Sequence, residues 1–193
     1  MKSIKNIKTI IVVGPKCSGK SSFLKIAESE NLITIDWGSI FSDFIKNDYK
    51  RERYLESVRL LINKRGRRYF IKKIIEKIEK KLKNSENPDG IVIAGARHPS
   101  ELSYLLGYFT ISRVVYINSD VSIRFDRCKS RNRIGDPITM SEFIHSDMKE
   151  FMMGLAEIAY EFVQDYIDNN ESEIEFNYKV NHYLSKLIKE AIP

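Results

Sequence analysis

Residues 9–22 of the chain read Thr9-Ile10-Ile11-Val12-Val13-Gly14-Pro15-Lys16-Cys17-Ser18-Gly19-Lys20-Ser21-Ser22. The β-branched apolar run that opens this stretch is typical of a strand buried on both faces, as in a parallel sheet. The residues from Gly14 to Ser21 fit the pattern Gly-x-x-x-x-Gly-Lys-Ser, and a helical pattern follows over 19–30. The two glycines let the backbone curl so that successive N–H groups converge on one anion at the helix N-terminus. The stretch therefore predicts a strand, a phosphate-binding loop and a helix in direct succession.

The side chains of this loop indicate ATP, or a similar nucleoside triphosphate, with Mg²⁺ as the ligand. Lys20 can reach the outer phosphates as a point charge, and the Ser21 hydroxyl can ligate Mg²⁺. The residues expected to surround the phosphates are Gly14, Pro15, Lys16, Cys17, Ser18, Gly19, Lys20, Ser21 and Ser22. Cys17 stands at a variable position of the pattern, so we assign its thiol no catalytic role.

Strand and helix patterns alternate along the rest of the chain. Apolar runs predict further strands at 32–35, 91–95, 113–117 and 163–167. Helical spacing predicts helices at 40–45, 69–82, 100–106, 121–131 and 176–192, with a turn at 36–39. Thr139 and Glu142 have the spacing of a capping box before a long amphipathic helix. The apolar face of that helix is expected to contain Phe143, Ile144, Met148, Phe151, Met152, Leu155, Ile158 and Phe162. The alternation predicts an α/β fold in three layers, with a five-stranded parallel sheet between helices.

Composition narrows the classes of partner. The 193 residues contain 32 Lys and Arg against 26 Asp and Glu, a net charge of +6. This balance fits a nucleic acid or a small polyanionic ligand. The excess is modest and the lysines between 72 and 83 fit a solvated helix face, so nucleic acid is the less favoured partner. The pair Cys17 and Cys128 lacks the spacing of a disulfide framework or zinc site, which favours reduced thiols in the cytoplasm. No apolar run approaches the roughly 20 residues of a membrane helix.

Arg97 follows the predicted strand at 91–95. In an open α/β sheet the carboxyl ends of the strands face the ligand crevice, and a guanidinium there can hold a phosphate with two parallel hydrogen bonds. The alternative is a surface ion pair with Glu101, which lies at helical spacing from Arg97.

A second group of arginines lies in the region 124–133. Arg124, Arg127 and Arg131 recur every three or four residues and are expected to share one helix face. Arg133 follows in a loop with Gly135-Asp136-Pro137 that could close over a nucleotide. Mobile arginines of this kind stabilise the charge that phosphoryl transfer spreads over the equatorial oxygens. A solvated helix end and an RNA contact are the alternatives.

The order of these parts resembles the nucleoside monophosphate kinase group of P-loop proteins, which includes adenylate kinase and dephospho-CoA kinase. Besides the loop, the matching segments are Ile35-Asp36-Trp37-Gly38-Ser39-Ile40, Gly95-Ala96-Arg97-His98-Pro99 with Glu101, Arg124 to Pro137, the set Phe143, Asp147, Glu150 and Gly154, and Asp165-Tyr166-Ile167-Asp168-Asn169-Asn170. In this order, they look like five parts of those enzymes. The first two are the turn before the acceptor-binding helices and the stretch after the third strand. The others are the lid, the helix after the lid in archaeal relatives, and an Asn-rich turn near the adenine. The resemblance implies one domain, with a core of 1–36, 88–128 and 141–193, a helical acceptor-binding insertion at 37–87 and a lid at 129–140.

The function that the resemblance implies is ATP-dependent phosphotransfer to a nucleotide or a nucleotide-like small molecule. Lys20 and the loop amides would hold ATP, with Arg127 nearby, and Ser21 would hold Mg²⁺. Arg97 would grip the acceptor phosphate. The pair Arg131 and Arg133 would stabilise the transferring group, and Asp36 would orient an acceptor hydroxyl or act as a base.

Two other functions remain open at this point. One is a nucleotide-binding regulatory protein without turnover, which Ala94 favours because relatives often carry there an Asp that helps to position Mg²⁺. The other is an RNA- or DNA-directed kinase or ATPase, which the basic segment 64–83 favours.

Overall fold

A computed structural model of the chain describes residues 4–45, 54–110, 112–133 and 136–189. The strands are β1 (Thr9–Val13), β2 (Leu32–Asp36), β3 (Gly90–Ala94), β4 (Ser112–Asn118) and β5 (Asp165–Asp168). The α-helices are α1 (Lys20–Ser29), α2 (Trp37–Ile45), α3 (Tyr54–Arg65), α4 (Arg67–Lys83), α5 (Pro99–Tyr108), α6 (Val121–Arg131), α7 (Met140–Glu150), α8 (Ala156–Glu161) and α9 (Glu173–Lys189). A short 3-10 helix at Ile4–Asn6 precedes β1. Across these ranges, every helix is too short or too polar to cross a membrane.

The five strands form one parallel sheet in the order β2-β3-β1-β4-β5. Every residue of β1, the central strand, is buried. Its side chains alternate between the two faces: Ile11 packs with the apolar faces of α2, α4, α5 and α8, whereas Ile10 packs with those of α1 and α9. The prediction of a three-layer α/β fold with a five-stranded parallel sheet is therefore confirmed.

The predicted turn at 36–39 is wrong, because α2 begins at Trp37 directly after β2. The Asp36 carboxylate accepts a hydrogen bond of 2.9 Å from the Gly38 N–H, and the Ser39 hydroxyl donates one of 2.7 Å to the Asp36 carbonyl. These bonds satisfy polar groups of the first helical turn without an intervening loop.

In the segment 37–87, predicted to be an acceptor-binding insertion, α4 contains the helix predicted at 69–82. The apolar side chains of α4 are buried as the spacing predicts: Phe70, Ile71, Ile74, Ile75 and Ile78. Residues 46–53 of the insertion lie outside the described residues, as does the end of the predicted last helix at 190–192. The fifth strand is shorter than predicted, since the side chain of Gln164, in place of a main-chain carbonyl, accepts the Val114 N–H.

The long helix predicted after Thr139 is broken. The capping box of Thr139 and Glu142 is confirmed, but a π-helical turn at Phe151–Leu155 separates α7 from α8, and Gly154 within it has a φ of 124°. A Cβ on Gly154 would lie 2.6 Å from Cδ of Pro99. The break changes which side chains face inward.

Part of the predicted apolar face of this helix is therefore wrong. Ile144, Met148 and Met152 are exposed, Met152 by 84%, while Phe143, Leu155 and Ile158 are buried. The reason is that the buried face of α7 is the one that carries Asp147 and Glu150, so that Ile144 and Met148 lie on the exposed face.

Candidate nucleotide-binding site

The loop between β1 and α1 has the backbone that its glycines predict. Gly14 and Gly19 have φ values of 141° and 116°, a region that side chains other than glycine rarely adopt. A Cβ on Gly14 would lie 2.6 Å from the Ile117 carbonyl oxygen, and one on Gly19 would collide with the side-chain amide of Asn169. Both glycines are thus required by close approach of the chain as well as by φ.

The Lys20 ammonium folds back over the loop. It donates hydrogen bonds of 2.7 Å to the Gly14 carbonyl and 2.6 Å to the Pro15 carbonyl. Burial lowers the pKa of Lys20 to about 8, against the opposing effect of the Glu150 carboxylate. Lys20 is the first residue of α1, and Ser21, which follows it, is exposed.

Two other polar groups of the loop are buried without a hydrogen-bond partner among the described residues: the Lys16 ammonium and the Ser18 hydroxyl. The Lys16 ammonium lies 4.4 Å from the centroid of the Phe143 ring. A buried cation without hydrogen bonds is costly, so its presence beside a cradle of loop amides fits a polyanionic ligand such as a triphosphate. This fit concerns the phosphates. For Mg²⁺, the Ser21 hydroxyl offers the single protein ligand that the pattern requires, since Mg²⁺ usually keeps several waters and binds phosphate oxygens.

The rear of the loop is fastened to the ends of β4 and β5. Asn169 donates a 2.7 Å hydrogen bond to the Ser18 carbonyl, and its other side-chain atom accepts one of 3.1 Å from Arg127. Arg127 also donates to the Ser119 hydroxyl. Burial lowers the pKa of Arg127. Arg127, which was predicted to lie near the nucleotide, therefore contacts Asn169, and Asn169 in turn contacts the loop.

Arg97 follows β3 and lies near a carboxylate other than the predicted one. Its Nη2 is 3.8 Å from Oε1 of Glu150, and the Lys16 N–H donates to the other oxygen of Glu150 at 3.2 Å. Glu101 accepts hydrogen bonds from the main-chain N–H groups of Arg97 and His98, and it forms its ion pair with Arg67 at 2.8 Å. The alternative was a surface ion pair between the Arg97 and Glu101 side chains. In the structure, Glu101 is buried and contacts the main-chain N–H of Arg97.

The arginines of α6 do not act as one exposed face. Arg124 is buried, and its guanidinium binds both oxygens of Asp147 at 2.7 Å. It also donates to the Ser119 carbonyl. Arg124, Arg127 and Arg131 keep the predicted spacing on α6, but in the structure their guanidinium groups bond within the protein, to Asp147, Asn169 and Asp136 respectively.

In the predicted lid, 129–140, the described residues bond to each other. Residues 129–131 form the last turn of α6, and Arg131 donates hydrogen bonds of 2.7 and 2.6 Å to the two oxygens of Asp136. This pairing raises the pKa of Arg131. The Arg133 side chain is exposed, and its N–H donates to Asp136. Gly135 lies outside the described residues. In this arrangement the Arg131 guanidinium is turned to Asp136, and neither arginine forms a hydrogen bond with the loop among the described residues.

Asp36 ends β2 at the edge of the sheet that also carries the loop and Arg97. It is exposed, and a Cβ on Gly95 would lie 3.9 Å from its Oδ1. The carboxyl ends of the parallel strands thus bring together the loop, Asp36 and Arg97, which are distant in sequence.

Sequence reasoning assigned no individual role to three residues that contact the candidate site or its surroundings: Arg67, Glu150 and Asn169. Glu150 and Asn169 were named only as part of a resemblance. A usable signal for Glu150 was its spacing, since Phe143, Asp147 and Glu150 stand at i, i+4 and i+7 on one helix face, and all three are buried. No signal could have shown that Arg67 of the insertion pairs with Glu101 of the core.

Comparison with known proteins finds relatives in sequence and in fold. No model of a protein family matches the chain. A UPF0200 protein of Pyrococcus horikoshii is 35% identical over 101 residues, which are 51% of this chain and 53% of that protein. A UPF0200 protein of Staphylothermus marinus is 28% identical over 189 residues, 94% of this chain and 93% of that protein.

Solved structures with a similar fold include kinases. A gluconokinase from Sinorhizobium meliloti has a TM-score of 0.59 at 18% identity, covering 96% of this chain and 95% of its own. A dephospho-CoA kinase from Campylobacter jejuni has a TM-score of 0.55 at 16% identity, covering 97% of this chain and 100% of its own. The chain is therefore similar in sequence to UPF0200 proteins and has the fold of P-loop kinases.

Proposed function

We propose that the protein transfers a phosphoryl group from ATP to a small nucleotide or nucleotide-like acceptor. The observation that carries the proposal is the loop itself: glycines in positive-φ conformations, a half-buried lysine folded over it and two further polar groups without hydrogen-bond partners among the described residues. A surplus of donors around one cradle is what a triphosphate would satisfy. The fold of small-molecule kinases supports the same reaction class.

Each residue has a role that its position supports. Lys20 would exchange its two carbonyl partners for phosphate oxygens of ATP, which supplies the phosphoryl group. Ser21 would ligate Mg²⁺, which would neutralise the charge of the phosphates. Arg97, at the end of β3, would bind the acceptor phosphate. Asp36, exposed at the end of β2, would accept a hydrogen bond from the acceptor hydroxyl.

Arg127 would stabilise the nucleotide side through Asn169. Arg131 and Arg133 would reach the transferring group only after Arg131 leaves Asp136, so we propose that the lid closes by exchanging that partner for phosphate. The free thiols of Cys17 and Cys128 fit a reducing compartment, and we place the protein in the cytoplasm.

A second candidate is a nucleotide-binding regulator without turnover. Ala94 ends β3 and is buried, so the strand next to the loop presents no carboxylate toward Mg²⁺ at that position. The RNA-directed alternative is less favoured, because several lysines of α4 bond within the protein: Lys73 to Glu76, Lys77 to Ser39 and Lys81 to the Thr34 carbonyl.

A screen of mono- and dinucleotide acceptors with ATP and Mg²⁺, read by ADP formation, tests the proposal. The expected result is one acceptor class that raises ADP formation well above the rate with ATP alone, and that loses this activity in Lys20→Ala. Nucleotide binding without acceptor-dependent turnover would favour the regulator. ADP formation that is stimulated by RNA alone would favour an RNA-directed kinase or ATPase.

A further inference from the structure

Glu150 places a buried carboxylate between the phosphate loop and Arg97. The residue ends α7 and is 5% exposed. Its Oε2 accepts a hydrogen bond of 3.2 Å from the Lys16 N–H, and its Oε1 lies 3.8 Å from Nη2 of Arg97. One side chain thus contacts both the donor cradle and the residue proposed to bind the acceptor.

The position of this carboxylate is fixed from two sides. One turn earlier in α7, Asp147 is bound by Arg124, whose Nη1 also lies 3.4 Å from the Lys16 carbonyl. Directly after Glu150 the chain enters the π-helical turn. There a Cβ on Gly154 would lie 3.2 Å from the Arg97 carbonyl, so this turn lies against the Arg97 backbone. The end of α7 is therefore held against both partners of Glu150.

Three cations interact with the Glu150 carboxylate. Arg97 lies 3.8 Å from it, and the carboxylate raises the pKa of Lys20 and of Lys16 against the effect of their burial. A buried carboxylate is tolerated when cations and hydrogen bonds compensate for lost hydration. The same negative charge opposes a second anion at this place, so Glu150 competes with phosphate for the same cations.

We propose that Glu150 is a positioning residue that holds Arg97 on the acceptor side of the site and prevents it from turning to the phosphates of ATP. The inference deepens the proposed function and rests on it for the identity of the two ligands. Because of Glu150, Lys20 binds the donor ATP and Arg97 binds the acceptor. Its removal has opposite consequences for the two substrates.

The variant Glu150→Gln separates these consequences. The glutamine side-chain oxygen can still accept the Lys16 N–H, so the loop keeps its hydrogen bond, while Arg97 loses the negative charge of Glu150. With a negative charge removed from the cradle, binding of ATP tightens about threefold to tenfold. With the negative charge of Glu150 removed from beside Arg97, KM for the acceptor rises by about tenfold or more. Damage to the fold would weaken both ligands together.

The experiment uses the full chain, with Glu161→Gln as a control that removes an exposed carboxylate at the end of α8. The first measurement is calorimetric affinity for a non-hydrolysable ATP analogue with Mg²⁺. The second is the side-chain Nε resonance of Arg97 in protein labelled with ¹⁵N-arginine, assigned by its absence from Arg97→Lys. We expect Glu150→Gln to tighten the analogue and to shift the Arg97 resonance, and the control to do neither.

An Arg97 resonance unchanged in Glu150→Gln would overturn the proposal, as would weaker binding of the analogue. These readouts need no acceptor, so they test Glu150 even where the acceptor screen finds none and the proposed function itself fails. Where an acceptor is found, the double variant Arg97→Lys/Glu150→Gln should have the acceptor KM of Arg97→Lys alone. Multiplied effects would show that Glu150 acts independently of Arg97.

Discussion

The phosphate loop and the arginine-rich region 124–136 are both cationic and both point to phosphate in the sequence, yet they differ in how their charges are satisfied. In the loop, the Lys16 ammonium is buried without a hydrogen bond among the described residues, and Lys20 donates its hydrogen bonds to neutral carbonyls. Glu150 attracts both lysines, with no hydrogen bond to either ammonium among the described residues. In the other region, Arg124 and Arg131 each bind a carboxylate with two hydrogen bonds. A cation with no hydrogen bond to a carboxylate indicates a ligand, whereas a cation that already has such a bond indicates a structural role or an exchange of partners.

The largest expected effect concerns the structural side of this comparison. Arg124→Met leaves the Asp147 carboxylate buried without its partner, which costs about 3–5 kcal/mol in the free energy of unfolding. Chemical denaturation measures this loss. The double variant Arg124→Met/Asp147→Leu should recover most of it, since neither charge of this pair then remains buried. A stability change below about 1 kcal/mol in the single variant would show that the pair is not structural.

The next effect concerns the loop. Lys20→Ala should weaken ATP binding by a few kcal/mol, about 100-fold or more, because it removes a charge-assisted contact to the phosphates. Titration calorimetry measures the affinity, and Lys25→Ala, on an exposed position of the same helix, is the control. The fold should persist. An affinity equal to that of the unaltered protein would remove the loop from the proposed function.

A variant of Arg131 tests whether an arginine that is already bound to a carboxylate, here Asp136, can also stabilise the transferring phosphoryl group. Arg131→Ala should lower kcat about 100-fold if the guanidinium leaves Asp136 for the transferring group. Its cost in stability should stay below about 1 kcal/mol, because the pair is partly exposed. Steady-state kinetics with Lys129→Ala as the control decide the matter. Unchanged kcat would place Arg131 with Arg124 among the structural arginines.

The smallest effect is a dependence of ATP affinity on pH. The pKa of Lys20 is lowered to about 8 in the empty protein, and its contact with phosphate needs the protonated form. Below this pH the lysine is already charged. Above it, binding must take up a proton, so affinity should fall by up to about tenfold per pH unit. Titrations at several pH values in Lys20→Met, which lacks the group, should show no such fall. The same flat profile in the unaltered protein would contradict the prediction.

Much of this arrangement could be predicted from residues that are close in sequence. The strand, loop and helix at 9–30 were predicted from β-branched residues and glycine spacing, because both act through local backbone sterics. The capping box at Thr139 was predicted for the same reason, as its bonds span only three residues. The predicted turn at 36–39 failed because Asp36 can satisfy a helical turn without a loop.

The sequence by itself determined the parallel sheet, the cradle at Gly14 to Ser21 and the placement of Arg97 after a buried strand, since each depends on local conformation and burial. Only the tertiary structure decided which carboxylate each arginine contacts. Arg124 pairs with Asp147, 23 residues away, while the Lys16 amide meets Glu150 from 134 residues away. The physical reason is that Coulomb attraction has no sequence signature: which charge pairs form depends on which helices the packed core brings together.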